Sequence, residues 1–547
     1  MGIGIMKRLF YILVICLTAS LSWSETLYVD GAAGGGGDGT SGTPWTWVEG
    51  FTAGNWGAGA GNVSPGDTLC LSGTFSIGSG STIIPNSGSD PDYVTIDGTS
   101  ACGSGAATVN PTYGSSAAIY ATGKSWLEIK NITFGGGSPR LIVFVNVDNF
   151  LIHDNTINGS YYRGIYIQSG SSNGYIYENT VTSTLVGTGA DGIKLHVNGA
   201  SAMSSFYIYN NTISDWNHTG LEVLSYTGDA AVSTVHIHDN YFTLPNRGYG
   251  RAIGLNSDTD GNVSGIYAWN NFIDGMRQST QINSIDDVYF WNNVFYNTQN
   301  CCKSAGDTGC VEAYSNCTDD GTGNDYTGTG QHLSIETAYG GNDNVNILGN
   351  VFYKSAESAI LINDRSENNT NINVKNNIIV DSANKSDHTG GYTPQGSDET
   401  ECDYDICDTY DGVYSTGITF ENNSVYNSAR SDTYKRDGTA RTIAALDAAF
   451  AWADSNLSSD PLMTDPDNDD FTLQSGSPAI DSGQDLDSGS TFPNFNYAWD
   501  PDSKGVLPPN TVVTDDQDTY TPWEIGVYFY DAGAPAPSTS SIQGVSF

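Results

Sequence analysis

Five residues on neighbouring repeats of this chain combine the side chains that proton-transfer chemistry needs. They are Asp191, Lys194, His196, Glu222 and Arg251. Lys194 and His196 alternate along one short apolar segment, and Glu222 lies in the next segment of the same kind. Carboxylates, an imidazole and two cations at one place can remove a proton beside a carboxylate and stabilise the resulting carbanion. We therefore take these five as candidate catalytic residues.

Elimination from an acidic glycan is the leading chemistry for this cluster. Lys194 or Arg163 would serve as the base if neighbouring cations and burial lower its pKa. Arg251 would neutralise the substrate carboxylate, and His196 or His218 would donate a proton to the leaving oxygen. The residues expected to bind substrate are Arg163, Tyr166, His218, Asn256 and Glu336.

Two other interpretations of the cluster stay open. Asp191 and Glu222 are expected on adjacent strands about 4.8 Å apart, and two nearby carboxylates can act as the acid and base of a glycoside hydrolase. Alternatively, one Lys, one Glu and one His on exposed strands form a solvated ladder with cross-strand ion pairs. The last interpretation fits a non-catalytic surface or adhesion protein.

A short recurring phrase predicts the fold that positions these residues. It reads apolar, any, small polar, Asn, any, apolar, and its irregular spacing is typical of stacked coils with variable loops. The density of Asn, Thr and β-branched residues favours turns and strands over helix. The phrase begins at Ile129, Ile152, Ile176, Ile208, Ile237, Ala268, Phe290, Ile347, Val374 and Phe420.

The Asn of each phrase is expected at one corner of successive coils. Asn tolerates left-handed backbone and bonds locally, so these residues should stack as a ladder. Ile152, Ile176, Ile208 and Ile237 should form one apolar file inside it. The predicted ladder contains Asn155, Asn179, Asn211, Asn240, Asn271, Asn293, Asn350, Asn377 and Asn423.

A second strand with strict alternation lies between the phrases, as in 164–169, 192–197 and 220–225. Alternation turns Ile165, Ile193 and Leu221 inward and their neighbours outward. The sequence thus predicts an all-β protein, a single-stranded right-handed parallel β-helix with three strands per coil and caps at both ends. Insertions at 299–331 and 381–410 should flank the outward face, where walls would make a groove.

Charge limits the partners of the 547-residue chain, whose formal net charge is −41. A field of this sign repels nucleic acid and acidic lipid, so neither is expected as a partner. Polysaccharide is the expected partner, and an acidic one would need a local basic strip or bridging cations. No motif requires a cofactor, calcium is the candidate ion, and no metal ligands are assigned. The oligomeric state is left open.

The first 24 residues have the features of a secretory signal peptide. Lys7 and Arg8 precede an apolar run at 9–21, and small residues around Ser24 fit a cleavage site. No later segment is long and apolar enough to span a membrane. We therefore expect a secreted or extracellular protein, at the cell surface or in the periplasm.

Cysteine usage predicts disulfides. Of the nine cysteines, Cys16 lies in the signal peptide, which leaves an even number in an exported chain. We predict a bond between Cys70 and Cys102 and another between Cys402 and Cys407. The long insertion holds Cys301, Cys302, Cys310 and Cys317.

Motifs at both ends of the chain carry a family resemblance. They are 27–47 and 64–75 near the N-terminus, and 465–483 and 523–528 near the C-terminus. These motifs resemble the opening and closing segments of secreted right-handed β-helix repeat proteins of the pectate-lyase-like superfamily. The resemblance implies an extracellular polysaccharide-recognising protein, with lyase, hydrolase or purely adhesive function. Whether the chain is an enzyme is left open.

The same patterns divide the chain. Near the C-terminus, 441–450 predicts one helix, and Asp465, Asp467, Asp469 and Asp470 partly resemble a calcium loop without its required Gly and Glu. The expected organisation is a signal peptide (1–24), an N-terminal cap with the first coils (25–125), β-helix repeats (126–430), a C-terminal coil and cap (431–531) and a disordered tail (532–547).

Overall fold

A computed structural model of the chain describes residues 24–486 and 523–527. Within these limits it leaves out 60, 79, 104, 113–116, 138–139, 160–161, 183–189, 217, 244–249, 276–277, 299–330, 356, 365–366, 384–403, 411–414 and 437. The predicted signal peptide, the tail, most of both insertions, Cys402 and the four cysteines of the long insertion lie outside the described residues.

The N-terminal part begins with short strands and continues with two long ones. The strands are β1 (Thr26–Asp30), β2 (Thr68–Ser72), β3 (Thr74–Ile77), β4 (Val94–Asp97), β5 (Ala107–Pro111), β6 (Ile119–Lys130), β7 (Ile132–Phe134), β8 (Arg140–His153) and β9 (Thr156–Asn158).

The middle of the chain repeats one pattern of strands. It contains β10 (Arg163–Gln168), β11 (Ser172–Tyr177), β12 (Thr180–Thr182), β13 (Asp191–Val197), β14 (Met203–Tyr209), β15 (Thr212–Ser214), β16 (Thr219–Ser225), β17 (Val232–His238), β18 (Tyr241–Thr243), β19 (Arg251–Ser257), β20 (Val263–Trp269), β21 (Phe272–Asp274), β22 (Gln278–Asn283), β23 (Asp286–Trp291), β24 (Val294–Thr298), β25 (Leu333–Glu336), β26 (Asp343–Leu348), β27 (Val351–Ser355), β28 (Ile360–Asp364), β29 (Thr370–Lys375), β30 (Ile378–Val380), β31 (Ile406–Tyr410), β32 (Thr419–Glu421) and β33 (Ser424–Tyr426).

Strand pairing steps regularly along this pattern. β10 pairs in parallel with β13, β11 with β14 and β12 with β15, and the step continues to β31, β32 and β33. The pairing defines three columns, with column 1 running from β10 to β31, column 2 from β11 to β32 and column 3 from β12 to β33. Stacked parallel strands of this kind confirm the predicted parallel β-helix.

The interior is filled by files of apolar side chains in register. Ile152, Ile176, Ile208 and Ile237 are consecutive partners in neighbouring strands, and each is 0% exposed. The predicted inward residues of column 1 are buried as well. Alternating β-branched and aliphatic side chains therefore set the core, because each strand buries one face against the others.

The asparagine ladder is confirmed. Asn179 Nδ2 donates to Ile152 O at 2.9 Å, to Tyr177 O at 2.9 Å and to Asn211 Oδ1 at 3.0 Å. The same pattern joins each predicted ladder residue to the next, and Asn456 extends it beyond Asn423. The ladder satisfies buried carbonyls at the corner, where water cannot reach them.

The expected left-handed backbone belongs to the residue before each ladder Asn, so its assignment to the ladder itself was wrong. Asp154, Asn210 and Asn270 have φ values of 53°, 52° and 50°. The chain turns the corner at these positions, and the next residue is then free to direct its amide along the ladder. Asp and Asn suit the turn because left-handed backbone costs them less than other non-glycine residues.

Both ends of the β-helix are covered. At the N-terminal end, α1 (Trp47–Gly50) has a capping box in which Thr46 and Glu49 satisfy each other's backbone. The predicted disulfide between Cys70 and Cys102 joins the first coils, with a Cα–Cα distance of 5.2 Å. Cys407 is also disulfide-bonded.

At the C-terminal end, β34 (Asp432–Arg436) and β35 (Thr439–Thr442) pair antiparallel, and α2 (Ile443–Ala449) confirms the predicted helix. β36 (Ala453–Asp454) joins column 2, and β37 (Met463–Asp465) and β38 (Asp470–Leu473) form a hairpin. Phe471 of this hairpin packs on Phe272, Tyr296 and Tyr353. The C-terminal segment therefore lies against column 3. No helix among the described residues is long and apolar enough to cross a membrane.

Candidate functional site

Column 1 brings most predicted site residues into three rows across adjacent strands. The first row contains Arg140, Arg163, Asp191, Thr219 and Arg251. The second row contains Tyr166, Lys194, Glu222 and Gly254, and the third contains Gln168, His196, Leu224 and Asn256. Successive members of a row lie on neighbouring strands, about 4.8 Å apart.

The central members of these rows are buried, which overturns the solvated-ladder interpretation. Lys194 is 4% exposed, Glu222 3% and His196 7%. Tyr166 is equally buried, and Tyr226 packs edge-on against His196 with ring centroids 5.1 Å apart. Long side chains on closely spaced strands cover one another here, so alternation predicted their direction but not their exposure.

Lys194 lies between two carboxylates. Its Nζ is 3.2 Å from Asp191 Oδ2 and makes a short contact with Glu222 Oε2. Burial alone would lower the pKa of Lys194, but the charges of Asp191 and Glu222 outweigh burial and raise it. The condition for Lys194 to act as a base, a lowered pKa, is therefore not met.

Asp191 also contacts His218 and Arg163. Its Oδ1 lies 2.7 Å from His218 Nδ1, and its Oδ2 is 3.7 Å from Arg163 Nε. Burial would raise the pKa of Asp191, but the hydrogen bond from His218 and the charges of Lys194 and Arg163 hold it below its usual value. The side chain of His218 is 39% exposed, so a buried carboxylate orients an accessible imidazole.

Tyr166 and His196 form a separate pair beneath the arginines. Tyr166 Oη lies 2.7 Å from His196 Nδ1, and the guanidinium carbons of Arg163 and Arg140 lie 4.5 Å and 5.6 Å from the Tyr166 ring centre. Burial and the nearby charge of Lys194 lower the pKa of His196 to about 4. His196 is therefore neutral at pH 7 and a poor proton donor for a leaving group.

The remaining predicted residues lie at the edge of this site or away from it. Arg251 occupies the first row one strand beyond Thr219, where its Nε donates to Gln278 Oε1 at 2.8 Å. Glu336 belongs to β25, three strands from Glu222 and roughly 14 Å away at the usual strand spacing. Asn256 lies one strand beyond Leu224. The structure does not bring Glu336 to the cluster.

Arg140 was missed by sequence reasoning, although it is the row partner of Arg163. Arg140 is followed directly by five apolar residues (141–145), which hide the alternation at the start of its strand. Aligning the phrases at Ile129 and Ile152 would have placed Arg140 one coil before Arg163.

The number and type of donor atoms in the cluster decide which metal ion it could bind. Within the described chain, one group of His, Cys, Asp or Glu residues places three ligand atoms within 4.8 Å of one another: Asp191, His218 and Glu222. Calcium prefers six to eight oxygen ligands, whereas this group offers two carboxylates and a nitrogen. The acidic turn at 465–470 does not form such a group. There, Asp467 accepts from Tyr353 Oη at 2.9 Å and pairs with Lys354.

No protein-family model matches the chain, and no curated protein matches its sequence. Solved structures do match it. Pectate lyase Pel9A aligns over 94% of this chain and 98% of its own, at 12% identity and a TM-score of 0.37. The PL6-family alginate lyase AlyGC aligns over 77% of this chain and 58% of its own, at 13% identity and a TM-score of 0.38. An exopolygalacturonase from Thermotoga maritima covers 66% of this chain and 80% of its own, at 10% identity and a TM-score of 0.31.

These matches include the pectate-lyase class that the terminal motifs indicated. Their TM-scores carry no argument about the chemistry of this chain. The parallel β-helix rests on the strand register described above, and function has to be argued from the site.

Column 2 carries rows of aromatic side chains, which make it a second candidate for a sugar-binding surface beside column 1. Two stacks follow its outer face. One contains His153, Tyr177, Tyr209, His238, Trp269 and Trp291. The other contains Tyr175, Tyr207, His236, Tyr267 and Tyr289.

The geometry of these stacks favours a structural role. Consecutive rings are nearly parallel, as for Trp269 and Trp291 at 4.8 Å and 13°, so each ring face is covered by its neighbour. Sugar stacking needs an open ring face, and here mainly ring edges point outward. Trp216 belongs to neither stack: it lies in the core at 1% exposure, and its Nε1 donates to Val181 O.

Proposed function

We propose that this protein binds an acidic polysaccharide along the outer face of column 1 and cleaves it by elimination, with His218 as the base. The observation that carries the proposal is the hydrogen bond from His218 Nδ1 to the buried Asp191 carboxylate. It fixes the imidazole so that the other ring nitrogen, Nε2, is left for substrate. His218 takes the role that the sequence had offered to Lys194.

Local charge supports an anionic substrate. The chain as a whole is strongly acidic, yet Arg140, Arg163 and Arg251 share the row that contains Asp191. Lys194 adds a cation in the next row. This row supplies the local basic strip that a uronate polymer needs to approach an acidic protein.

The reaction follows from these positions. His218 Nε2 removes the proton from the carbon beside the uronate carboxylate, and Arg163 stabilises the negative charge that develops. The electron pair then forms a carbon–carbon double bond as the glycosidic C–O bond breaks. His218, protonated in the first step, returns its proton to the leaving oxygen. The products are an unsaturated uronate and a new reducing end.

Hydrolysis by Asp191 and Glu222 is less well supported. An inverting or retaining glycosidase needs one carboxyl group that keeps its proton at working pH. The pKa of Asp191 is lowered, and Lys194 contacts both carboxylates. Neither is therefore placed to act as a general acid while Lys194 occupies the position between them.

The test uses a panel of uronate and neutral polysaccharides, with ultraviolet absorbance of the unsaturated product and reducing ends followed together. His218→Gln should lower turnover by about two to four orders of magnitude and leave glycan binding in place. His238→Gln is the matched control, because His238 Nδ1 pairs with Asp239 Oδ2 at 2.6 Å on column 2. It should remain fully active.

Each other outcome has a definite meaning. Reducing ends without new absorbance would replace elimination by hydrolysis. Binding to a glycan without either signal would favour the adhesion alternative. Full activity in His218→Gln would remove His218 from the mechanism. Secretion, expected from residues 1–24, would place the polysaccharide outside the cytoplasm.

A further inference from the structure

Lys194 occupies the place that a metal ion would take in this site. Asp191, His218 and Glu222 place one ligand atom each within 4.8 Å of one another. The Lys194 ammonium contacts both carboxylates of the group. It therefore stands where a bridging cation would neutralise them.

We infer that Lys194 is the resident cation of this cluster, so that the native site takes no divalent metal ion, and that removing Lys194 turns the cluster into a divalent metal site. The consequence for catalysis, elimination that does not need calcium, rests on the proposed function. The metal-binding property itself does not.

Electrostatics explains why the native site should exclude divalent ions. A metal bound between Asp191 and Glu222 would lie close to the ammonium, and like charges repel strongly where water is excluded. Displacing the Lys194 side chain would leave its charge buried without a partner, because the residue is 4% exposed. Both effects oppose metal entry, even though the ligand atoms are in place.

The donor set decides which metal the altered site would prefer. Two carboxylates and one imidazole nitrogen match the ligands that Zn²⁺ and Mn²⁺ accept. They fall short of the oxygen-rich shell of calcium. Lys194→Met keeps an unbranched side chain of similar length and removes only the charge, so it opens the cation position with little change in packing.

The experiment titrates the full chain with Mn²⁺ and Zn²⁺ and reads the site directly. Seven His residues can be isotope-labelled, and bound Mn²⁺ broadens the ring signals of the histidine that it touches. In Lys194→Met, the His218 signals should broaden at substoichiometric Mn²⁺, and Zn²⁺ affinity should rise at least about tenfold over the native protein, equivalent to about 1.4 kcal/mol. The double variant with His218→Gln should lose this gain.

A matched control separates the site from general acidity. Lys375 pairs with Glu421 at 2.9 Å on a partly exposed surface, so Lys375→Met frees one carboxylate outside the cluster and should gain no site. The inference is overturned if Lys194→Met binds no more tightly than Lys375→Met. It is also overturned if the native protein binds one Mn²⁺ at His218 and loses it in Glu222→Gln.

The Mn²⁺ titration of the native protein tests the inference even if Lys194→Met fails to fold. No selective His218 broadening in the native protein supports the inference, and selective broadening refutes it. Activity after treatment with EDTA adds a catalytic readout: unchanged elimination supports a metal-free site, and abolished elimination restored by calcium contradicts it. If the protein shows no activity on any glycan, the proposed function is refuted. The metal titrations do not depend on activity and still test the inference.

Discussion

Removing the Lys194 charge should destabilise the fold far more than removing a surface lysine. Lys194→Met removes the cation that contacts both Asp191 and Glu222 and leaves Arg163, 3.7 Å from Asp191, on one side only. The side chains of Asp191, Lys194 and Glu222 are at least about nine-tenths buried. Breaking a buried ion pair by deleting one partner costs about 3–5 kcal/mol, because the remaining charge stays desolvated. Lys375→Met, in the partly exposed pair with Glu421, should cost about 0–1 kcal/mol.

Denaturant unfolding of both variants beside the native protein measures this difference, under conditions where refolding is shown to be complete. From the alternation alone, an outward strand residue such as Lys194 contributes little to the core, so the sequence predicts a small loss; its burial at 4% exposure predicts a large one. Equal losses in the two variants would refute the reasoning, because they would show that Lys194 is screened by water like an ordinary surface group.

The pH dependence supplies a second check. The pKa of Asp191 is lower in the folded protein than in the unfolded chain. The ionised Asp191 therefore contributes its full share of the free energy of unfolding above the unfolded-state pKa, and this share is lost as pH falls through the folded-state pKa. The pKa of Lys194 is raised in the folded protein. The charged Lys194 therefore contributes its full share of the free energy of unfolding below the unfolded-state pKa, and this share is lost as pH rises through the folded-state pKa. The native contribution should therefore be flat from about pH 5 to pH 9. In Lys194→Met the penalty should shrink toward pH 5, as one carboxylate takes up a proton.

Two further perturbations test the scaffold. Burial opposes the charged form of His153, but the hydrogen bonds that its ring donates to the Glu128 and Asp154 carboxylates raise its pKa. Its stabilising contribution is therefore present at mildly acidic pH and lost as pH rises through the raised value. Melting curves of His153→Gln and the native protein should converge at alkaline pH, and convergence at acidic pH instead would contradict this. Asn271→Ala should cost several kcal/mol in denaturant unfolding. It removes the donor to Ile237 O and one of the donors to Trp269 O, as well as the oxygen that accepts from Asn240, and each buried group left without a partner costs about 1–3 kcal/mol. Asn270→Gly at φ 50° should be close to neutral; equal effects would show that the turn, not the ladder, holds the corner.

The backbone of this protein was largely predictable from its sequence. The phrase containing Asn179 or Asn211 combines a fixed corner residue with apolar neighbours, and each coil contacts only the next, so local patterns determine the register. One residue of slip would turn Ile208 outward and bury its polar neighbours. The inward files, the ladder and the C-terminal helix were accordingly recovered.

The site was only partly predictable, because its properties depend on contacts between coils. The sequence placed Lys194 and Glu222 side by side but could not show that neighbours would bury them. It named Asp191 and His218 as separate candidates, yet their hydrogen bond depends on how the turn before β16 presents the imidazole. Roles that rest on pKa values were the least accessible, since a lysine between two carboxylates and a lysine among cations have opposite chemistry.

The position of the charges explains why this face differs from the aromatic face of column 2. There, His238 also pairs with an aspartate, but the stacked rings of Tyr209 and Trp269 cover it on both sides. Its neighbours along the row are thus aromatic and not cationic. On column 1, the same kind of pair lies beside Arg163 and shares its carboxylate with Lys194. An Asp–His pair is therefore not a site by itself. In the proposed function, the cations beside His218 would hold a negatively charged substrate, and Arg140, Arg163 and Arg251 share this row although the chain as a whole is acidic.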